Sequence, residues 1–189
     1  KNGLRGVTTN WHGPAHTMPK HIANHRLTKL NRIRDDFPTL VELLKGAGYT
    51  CAVTSKLHVH PVYKFPYDHF IQSQPTYASV KQHFEKARKG SNPVFYFANI
   101  GPPHRPFRDS DKVDIGIDVN AVEPPPFLPD TPTCRKDWAE YLGHCQQADR
   151  IVGEVLRGLA DSGQEDQTIL LFMGDHGPAY HRGKLALYD

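Results

Sequence analysis

Apolar and polar residues follow one another along the chain in an order that predicts helices alternating with strands. Residues 38–48 carry apolar side chains at helical spacing, with a proline near the first turn and two glycines as stop signals. The apolar stretch TCAV, residues 50–53, then predicts a short buried strand. Residues 1–37 contain many turn formers and no sustained period, and this composition predicts a loop.

The same order of helix and strand recurs twice more. Residues 77–90 place apolar side chains on one face and lysines on the other, and residues 93–100, PVFYFANI, predict a strand buried on both faces. Residues 134–159 form the longest amphipathic pattern, and residues 168–172, TILLF, predict the next buried strand. This alternation indicates an α/β fold, with a mostly parallel sheet sandwiched by helices.

Ionisable residues follow each of the three predicted strands. In open α/β sheets, ligands bind in the crevice outside the carboxyl ends of the strands, so these residues are candidates for one site. They are Lys56 and His58 after the first strand, His104 after the second, Asp175 and His176 after the third, and Lys184 in the loop beyond it.

The chemistry of this set favours an anionic ligand beside a metal. Lysine is a point charge suited to a sulfate or phosphate oxygen, and histidine can stabilise charge or protonate a leaving group near neutral pH. An aspartate among so many cations suggests a divalent metal, because carboxylates are usual ligands of hard cations. A solvated loop or a rigid turn explains each cluster taken alone, but together they indicate a metal-assisted hydrolase of an oxyanion ester.

Composition narrows the class of protein further. The 189 residues are the size of one domain, and a formal net charge of +3 is far from the dense basic stripes of a nucleic-acid binder. We therefore expect no nucleic-acid partner. No apolar run reaches the length of a membrane span, so we expect no membrane partner either. The three cysteines, Cys51, Cys134 and Cys145, lack the number and spacing of a disulfide framework or a zinc site.

Six motifs, taken in order, resemble those of the sulfatases of the alkaline-phosphatase-like superfamily. Within that family the chain is most similar to N-sulfoglucosamine sulfohydrolase-like members. The resemblance implies an alkaline-phosphatase-like core and identifies residues 1–189 as part of a catalytic N-terminal domain, truncated at both ends. The motifs are NGLRG (2–6), FPTLVELLKGAGYTCAVTSKLHVH (37–60), FPYDHF (65–70), GPPHRPF (101–107), the stretch from PPFLPDTP to MGDHG (125–177) and RGKLALYD (182–189).

The resemblance also implies a role for each residue at the strand ends. These roles are contact with the sulfate and the nucleophile region for Lys56 and His58, sulfate binding or assistance to the leaving group for His104, a bridge between sulfate and nucleophile for Lys184, and metal coordination for Asp175 and His176. Substrate binding therefore falls on Lys56, His104 and Lys184. The metal of the family is usually Ca²⁺, for which imidazole is a less typical ligand than oxygen.

The chain departs from the family at the nucleophile. The family uses a formylglycine made within a Cys/Ser-x-Pro/Ala-x-Arg motif, which this sequence does not contain. We expect that motif just before Lys1, and the aspartate pair of the metal site further upstream, so that the 189 residues alone are inactive. Ser55 and His60 stand where glycines are usual, and Gly174 stands where serine is usual.

Two other functions stay open on the sequence alone. A phosphodiester or phosphonate monoester hydrolase of the same superfamily has a similar pattern at its strand ends. A non-catalytic chain that only binds sulfated glycans is compatible with the positive charge. The residue at the nucleophile position separates these alternatives from a sulfatase acting on a sulfated small molecule or glycan. The resemblance is compatible with a secreted, periplasmic or lysosomal protein, but the sequence itself indicates neither a compartment nor an oligomeric state.

Overall fold

A computed structural model describes residues 33–57, 59, 61–107, 117–181 and 183–184. Residues 1–32, which make up most of the predicted loop at 1–37, lie outside the described residues, as does His58. Three of the six motifs also lie outside them in whole or in part: residues 2–6 entirely, and parts of 37–60 and 182–189.

Three helices and three strands form within the described residues, and they include every predicted helix. Two short 3-10 helices, Val62–Lys64 and Glu165–Gln167, lie in the connections. The described helices do not include one that is both long enough and apolar enough to cross a bilayer. In chain order the elements are α1 (Leu40–Gly46), β1 (Thr50–Thr54), β2 (His69–Ile71), α2 (Tyr77–Arg88), β3 (Val94–Phe97) and α3 (Pro132–Asp161).

The three strands form one parallel sheet in the order β2–β1–β3. In the register, Ala52 of the central strand pairs with His69 on one side and with Tyr96 on the other. Residues 51–54 of β1 are fully buried, as expected of a central parallel strand. The α/β class and the parallel sheet are therefore confirmed, whereas β2 is a strand that the hydrophobic pattern did not predict.

Threonine side chains fix where the helices begin. The Oγ1 of Thr39 accepts a hydrogen bond from the backbone N–H of Glu42 at 3.2 Å, and the Glu42 carboxylate accepts from the Thr39 N–H at 2.8 Å. Thr76 and Ser79 form the same reciprocal box at α2. Thr131 caps α3 by accepting from a backbone N–H of the first turn. These bonds satisfy donors that a helix start would otherwise leave unpaired.

The packing of α2 against α3 makes the hydrophobic core beside the sheet. Val80 and Phe84 of α2 and Leu159 of α3 are buried together, and side chains of β3 pack against them. The two helices approach closely at Gly158, where an added Cβ would lie 2.8 Å from the carbonyl oxygen of Tyr77. Only a residue without a side chain fits this crossing unchanged.

Two predictions about strand burial are wrong. Residues 168–172 pair with no strand within the described part of the chain, and Ile169 and Phe172 are 92% and 80% exposed. Residues 94–97 do form β3, but this strand lies at one edge of the described sheet, and Phe97 is 46% exposed. An apolar segment is buried only where a neighbouring strand or helix covers it, and the hydrophobic pattern alone does not show whether one does.

The close crossing predicts opposite effects for two alanine substitutions on α3. Alanine is a better helix former than glycine by about 1 kcal/mol, so Gly153→Ala should raise the melting temperature, since nothing lies within 4 Å of its added Cβ. Gly158→Ala should lower the melting temperature, because overpacking at the crossing costs about 1–3 kcal/mol. Thermal unfolding of the intact protein measures both changes. Equal shifts for the two variants would contradict the packing described here.

Candidate active site

Lys56 and His104 follow two adjacent parallel strands, β1 and β3. Lys56 is half-buried, whereas His104 is exposed. The turn that carries Lys56 (residues 55–57, the Lys56 turn) and the loop that carries His104 (residues 98–107, the His104 loop) leave the sheet at the same edge. The structure therefore places these two predicted site residues on neighbouring segments, as the strand-end pattern predicted.

Hydrogen bonds from Asn99 join the Lys56 turn to the His104 loop. The buried hydroxyl of Thr54 accepts from the backbone N–H of Asn99 at 3.0 Å, and the Asn99 side-chain amide donates to the carbonyl oxygen of Lys56. Because Asn99 contacts both the last residue of β1 and the backbone of Lys56, movement of one segment disturbs the other.

Gln74 makes a second link between the same two segments. Its amide nitrogen donates to the hydroxyl of Ser55 at 3.1 Å, and its amide oxygen accepts from the backbone N–H of Gly101 at 3.1 Å. Ser55 has a φ of 61°, in the left-handed region that residues other than glycine rarely adopt. Its backbone N–H donates to the carbonyl oxygen of Ile71 at 2.7 Å, which helps to hold this unusual turn before Lys56.

Asp175, His176 and Lys184 lie on the irregular segment that follows α3, and all three are exposed. We call residues 174–184 the Asp175 loop; residue 182 lies outside the described residues. The predicted strand before this loop is not formed, so the loop is not placed by pairing with the described sheet. Contacts with α3 and with the His104 loop hold it instead.

An ion pair between Arg105 and Asp137 connects the His104 loop to α3. The guanidinium donates to the two carboxylate oxygens at 2.8 Å and 2.5 Å, which is bidentate geometry. The hydroxyl of Tyr180 in the Asp175 loop donates to the same carboxylate at 2.7 Å. Arg105 Nε also donates to the carbonyl oxygen of Ala179 at 3.4 Å. We refer to Arg105, Asp137 and Tyr180 as the Arg105 network.

The charges and rings of this network stabilise one another. The Arg105 guanidinium lies over the rings of Phe107 and Tyr180, at 4.4 Å and 4.8 Å from their centroids. The hydrogen bonds from Arg105 lower the pKa of the Asp137 carboxyl below its ordinary 3.8. The carboxylate thus contributes stability above pH 3.8, and that contribution is lost as the pH falls through the lowered pKa. Burial raises the pKa of Tyr180, which therefore remains a donor at neutral pH.

Backbone carbonyls orient the two histidines. Nδ1 of His104 lies against the carbonyl oxygen of Arg105, and Nδ1 of His176 lies 2.8 Å from that of Gly177. A carbonyl oxygen can only accept, so each Nδ1 carries the hydrogen. Nε2 is then the nitrogen of each ring that remains for a ligand, a proton or a substrate.

The pair Asp175 and His176 fits part of a metal site. Nε2 of His176 lies 3.3 Å from a carboxylate oxygen of Asp175. With hydrogen on Nδ1, a neutral ring turns a lone pair toward that oxygen, and two acceptors at this distance repel unless a proton or a metal ion lies near both. Within the described ranges, however, no third histidine, cysteine, aspartate or glutamate joins the pair. A metal held here would need further ligands.

Among the described site residues that the sequence predicted, only Asp175 and His176 are in direct contact. Lys56, His104 and Lys184 are connected through the backbone of their segments and through Asn99, Gln74 and the Arg105 network.

Sequence reasoning missed the Arg105 network. Asp137 lies next to Trp138 on the polar side of an otherwise ordinary amphipathic pattern, and nothing in that pattern indicates a partner 32 residues earlier. The available signal was the arginine directly after His104 in the proline-rich stretch PPHRPF. An arginine beside a candidate site residue indicates that a carboxylate or an anion lies nearby.

A substitution at the end of β1 tests the link between the Lys56 turn and the His104 loop. Thr54→Val keeps the shape of the side chain but leaves the Asn99 N–H without its acceptor, which should cost about 1–3 kcal/mol of stability. Thr50→Val on the same strand is the control, because Thr50 is held by its backbone N–H to the carbonyl oxygen of Pro93. Melting temperatures of the intact protein measure the effect, and an equal change in both variants would refute the assigned role of the Thr54 hydroxyl.

Comparison with known proteins identifies the family of the chain. The family model described as Sulfatase matches residues 14–189. The chain is 38% identical over 65 residues to an ulvan-active sulfatase of Formosa agariphila, a match that covers 34% of this chain and 11% of that protein. It is 24% identical to the human N-sulphoglucosamine sulphohydrolase, over 89% of this chain and 39% of that protein.

Two solved structures share the fold. Ps i-CgsB in complex with k-i-k-neocarrahexaose matches with a TM-score of 0.54 and 17% identity, over 90% of this chain and 44% of that chain. A structure described under metabolism of multiple glycosaminoglycans by Bacteroides thetaiotaomicron matches with a TM-score of 0.53 and 16% identity, over 70% of this chain and 40% of that chain. The chain spans 39% or less of the two curated relatives.

Proposed function

We propose, from the premise that the chain belongs to the sulfatase family, that the protein hydrolyses a sulfuric ester or N-sulfo group with the help of a divalent metal. The observation that supports this proposal best is the linkage of three segments. The Lys56 turn, the His104 loop and the Asp175 loop follow separate parts of the chain, yet Asn99 and the Arg105 network tie them into one connected unit.

The cations of these segments are suited to a sulfate ester. Lys56 and Lys184 would bind the sulfate oxygens and stabilise the negative charge of the sulfuryl group in the transition state. Because Nδ1 of His104 is directed to a backbone carbonyl, its Nε2 would face the substrate and, when protonated, donate a proton to the leaving-group oxygen. The imidazole of His58, which lies outside the described residues, is proposed to contact the sulfate and the nucleophile.

Two groups that the family implies would complete the site. Asp175 and His176 would hold the metal, and Ca²⁺ is the ion that the family suggests, although the imidazole also suits softer divalent ions. When bound, the metal supplies Lewis-acid polarisation of a sulfate oxygen. The nucleophile is proposed to be a formylglycine from a segment preceding Lys1. The residues of this chain would then bind, orient and neutralise the sulfate.

The substrate class is proposed to be a sulfated sugar or glycan. One relative is named for ulvan and another for N-sulphoglucosamine, and both solved neighbours are described with glycans or their metabolism. The basic net charge of the chain agrees with an anionic substrate of this kind.

Substitution of the lysines tests the proposed function. In the intact protein, Lys56→Met and Lys184→Met should each lower kcat/KM for a sulfated monosaccharide by about 10²–10³, the usual cost of removing one group that stabilises transition-state charge. Lys89→Met is the control, because Lys89 is exposed, as Lys184 is, but follows α2, away from the carboxyl ends of the strands. Sulfate release measured by ion chromatography gives the rates. Equal activity in all three variants would contradict the assignment.

Metal removal tests the role of Asp175 and His176. Dialysis of the intact protein against a chelator should abolish sulfate release, and added Ca²⁺ or another divalent ion should restore it. Asp175→Asn should shift the midpoint of this restoration to higher metal concentration, because it removes one anionic ligand. Metal-independent sulfate release, or an unchanged midpoint, would exclude these ligands. Faster cleavage of a phosphodiester than of a sulfate ester would instead favour phosphoryl chemistry, and glycan binding without hydrolysis a non-catalytic role.

A further inference from the structure

We propose that Arg105, Asp137 and Tyr180 are positioning residues that hold the His104 loop and the Asp175 loop together on α3. The holding role stands on contacts in the structure. Its consequence for catalysis rests on the proposed function, since it concerns how His104 and Lys184 reach one substrate.

Arg105 is placed to fix the position of His104. The two residues are neighbours in the chain, and the Arg105 carbonyl oxygen contacts Nδ1 of the His104 ring. The Arg105 side chain is fixed on the other side by both carboxylate oxygens of Asp137. A guanidinium held by two parallel bonds has a defined plane as well as a defined position, which a lysine could not provide.

Tyr180 is placed to fix the position of the Asp175 loop. It is buried, and its hydroxyl donates both to the Asp137 carboxylate at 2.7 Å and to the Asp137 carbonyl oxygen at 3.2 Å. Its ring also contacts Trp138 and Tyr141 of α3, with centroids 5.4 Å and 5.8 Å away. Tyr180 lies four residues after His176 and four before Lys184, so it anchors the loop between the two candidate groups.

The Asp137 carboxylate is the shared point of both attachments. It receives bonds from one loop through Arg105 and from the other through Tyr180, while its backbone belongs to a helix of 30 residues. The Asp175 loop has no strand before it in the described part of the chain, so these contacts supply order that sheet pairing does not. Loss of the carboxylate charge should therefore loosen both loops at once.

Hydrogen exchange followed by mass spectrometry tests this proposal on the intact protein. In Asp137→Asn, peptides covering residues 98–107 and 174–181 should exchange about tenfold faster, because charge-assisted hydrogen bonds that resist local opening are lost. A peptide covering α2, residues 77–88, should exchange at the rate of the wild type. Tyr180→Phe keeps the ring and should accelerate mainly the 174–181 peptide.

Asp130→Asn is the matched control. Asp130 also forms a bidentate pair with an arginine of α3, Arg135, at 2.5 Å and 2.7 Å, but it contacts neither candidate loop. This variant should leave exchange in both loops unchanged. If Asp137→Asn accelerates all peptides equally, or if the loops respond alike to Asp130→Asn, the network stabilises the fold generally and the proposal fails. Should Asp137→Asn not fold, the local response to Tyr180→Phe decides.

Kinetics then test the consequence for catalysis. Asp137→Asn and Tyr180→Phe should lower kcat for sulfate release more than they change KM. Arg105→Lys should also lower kcat, although it keeps the positive charge, since lysine lacks the bidentate geometry. Rates in Asp137→Asn equal to those of Asp130→Asn would overturn the catalytic consequence. If the wild type releases no sulfate, the proposed function fails, while the exchange data still decide whether the network positions the loops.

Discussion

The parallel pairing of β1 with both of its neighbours is the constraint on which the rest of the structure depends. Parallel strands end at the same edge of a sheet, so backbone pairing alone brings the residues that follow β1 and β3 side by side. Full burial of residues 51–54 fixes that pairing, because a shift in register would move these side chains out of their buried positions. Thr54 then extends the alignment from the sheet into the loops through its bond to Asn99.

The Arg105 network holds the Asp175 loop in place, which the described sheet does not do. The apolar segment that precedes Asp175 is exposed and unpaired within the described ranges, so the position of the Asp175 loop depends on side chains. A single carboxylate on α3 receives the arginine of one loop and the tyrosine of the other. Two loops distant in sequence are thus held by contacts to one rigid helix, which is an economical way to align the groups of a site.

The sequence predicted the helices well because their signals are local. The helical spacing of apolar residues and the glycines at the end of α1 act within a few residues, and α1, α2 and α3 form where the apolar spacing indicated. Burial of residues 168–172 could not be predicted in the same way, because it depends on which segment lies alongside. The candidate site residues followed from the strand-end rule and from family resemblance. Asp137 did not, since its role arises from a partner that only the folded chain brings near.

A crystal structure of the intact protein with bound inorganic sulfate tests the central claim most directly, namely that the three segments form one sulfate site. The account predicts electron density for a sulfate in contact with Lys56, His104 and Lys184, and for a metal ion bound by Asp175 and His176. A sulfate bound elsewhere, or segments too far apart for these residues to reach one ion, would contradict the account.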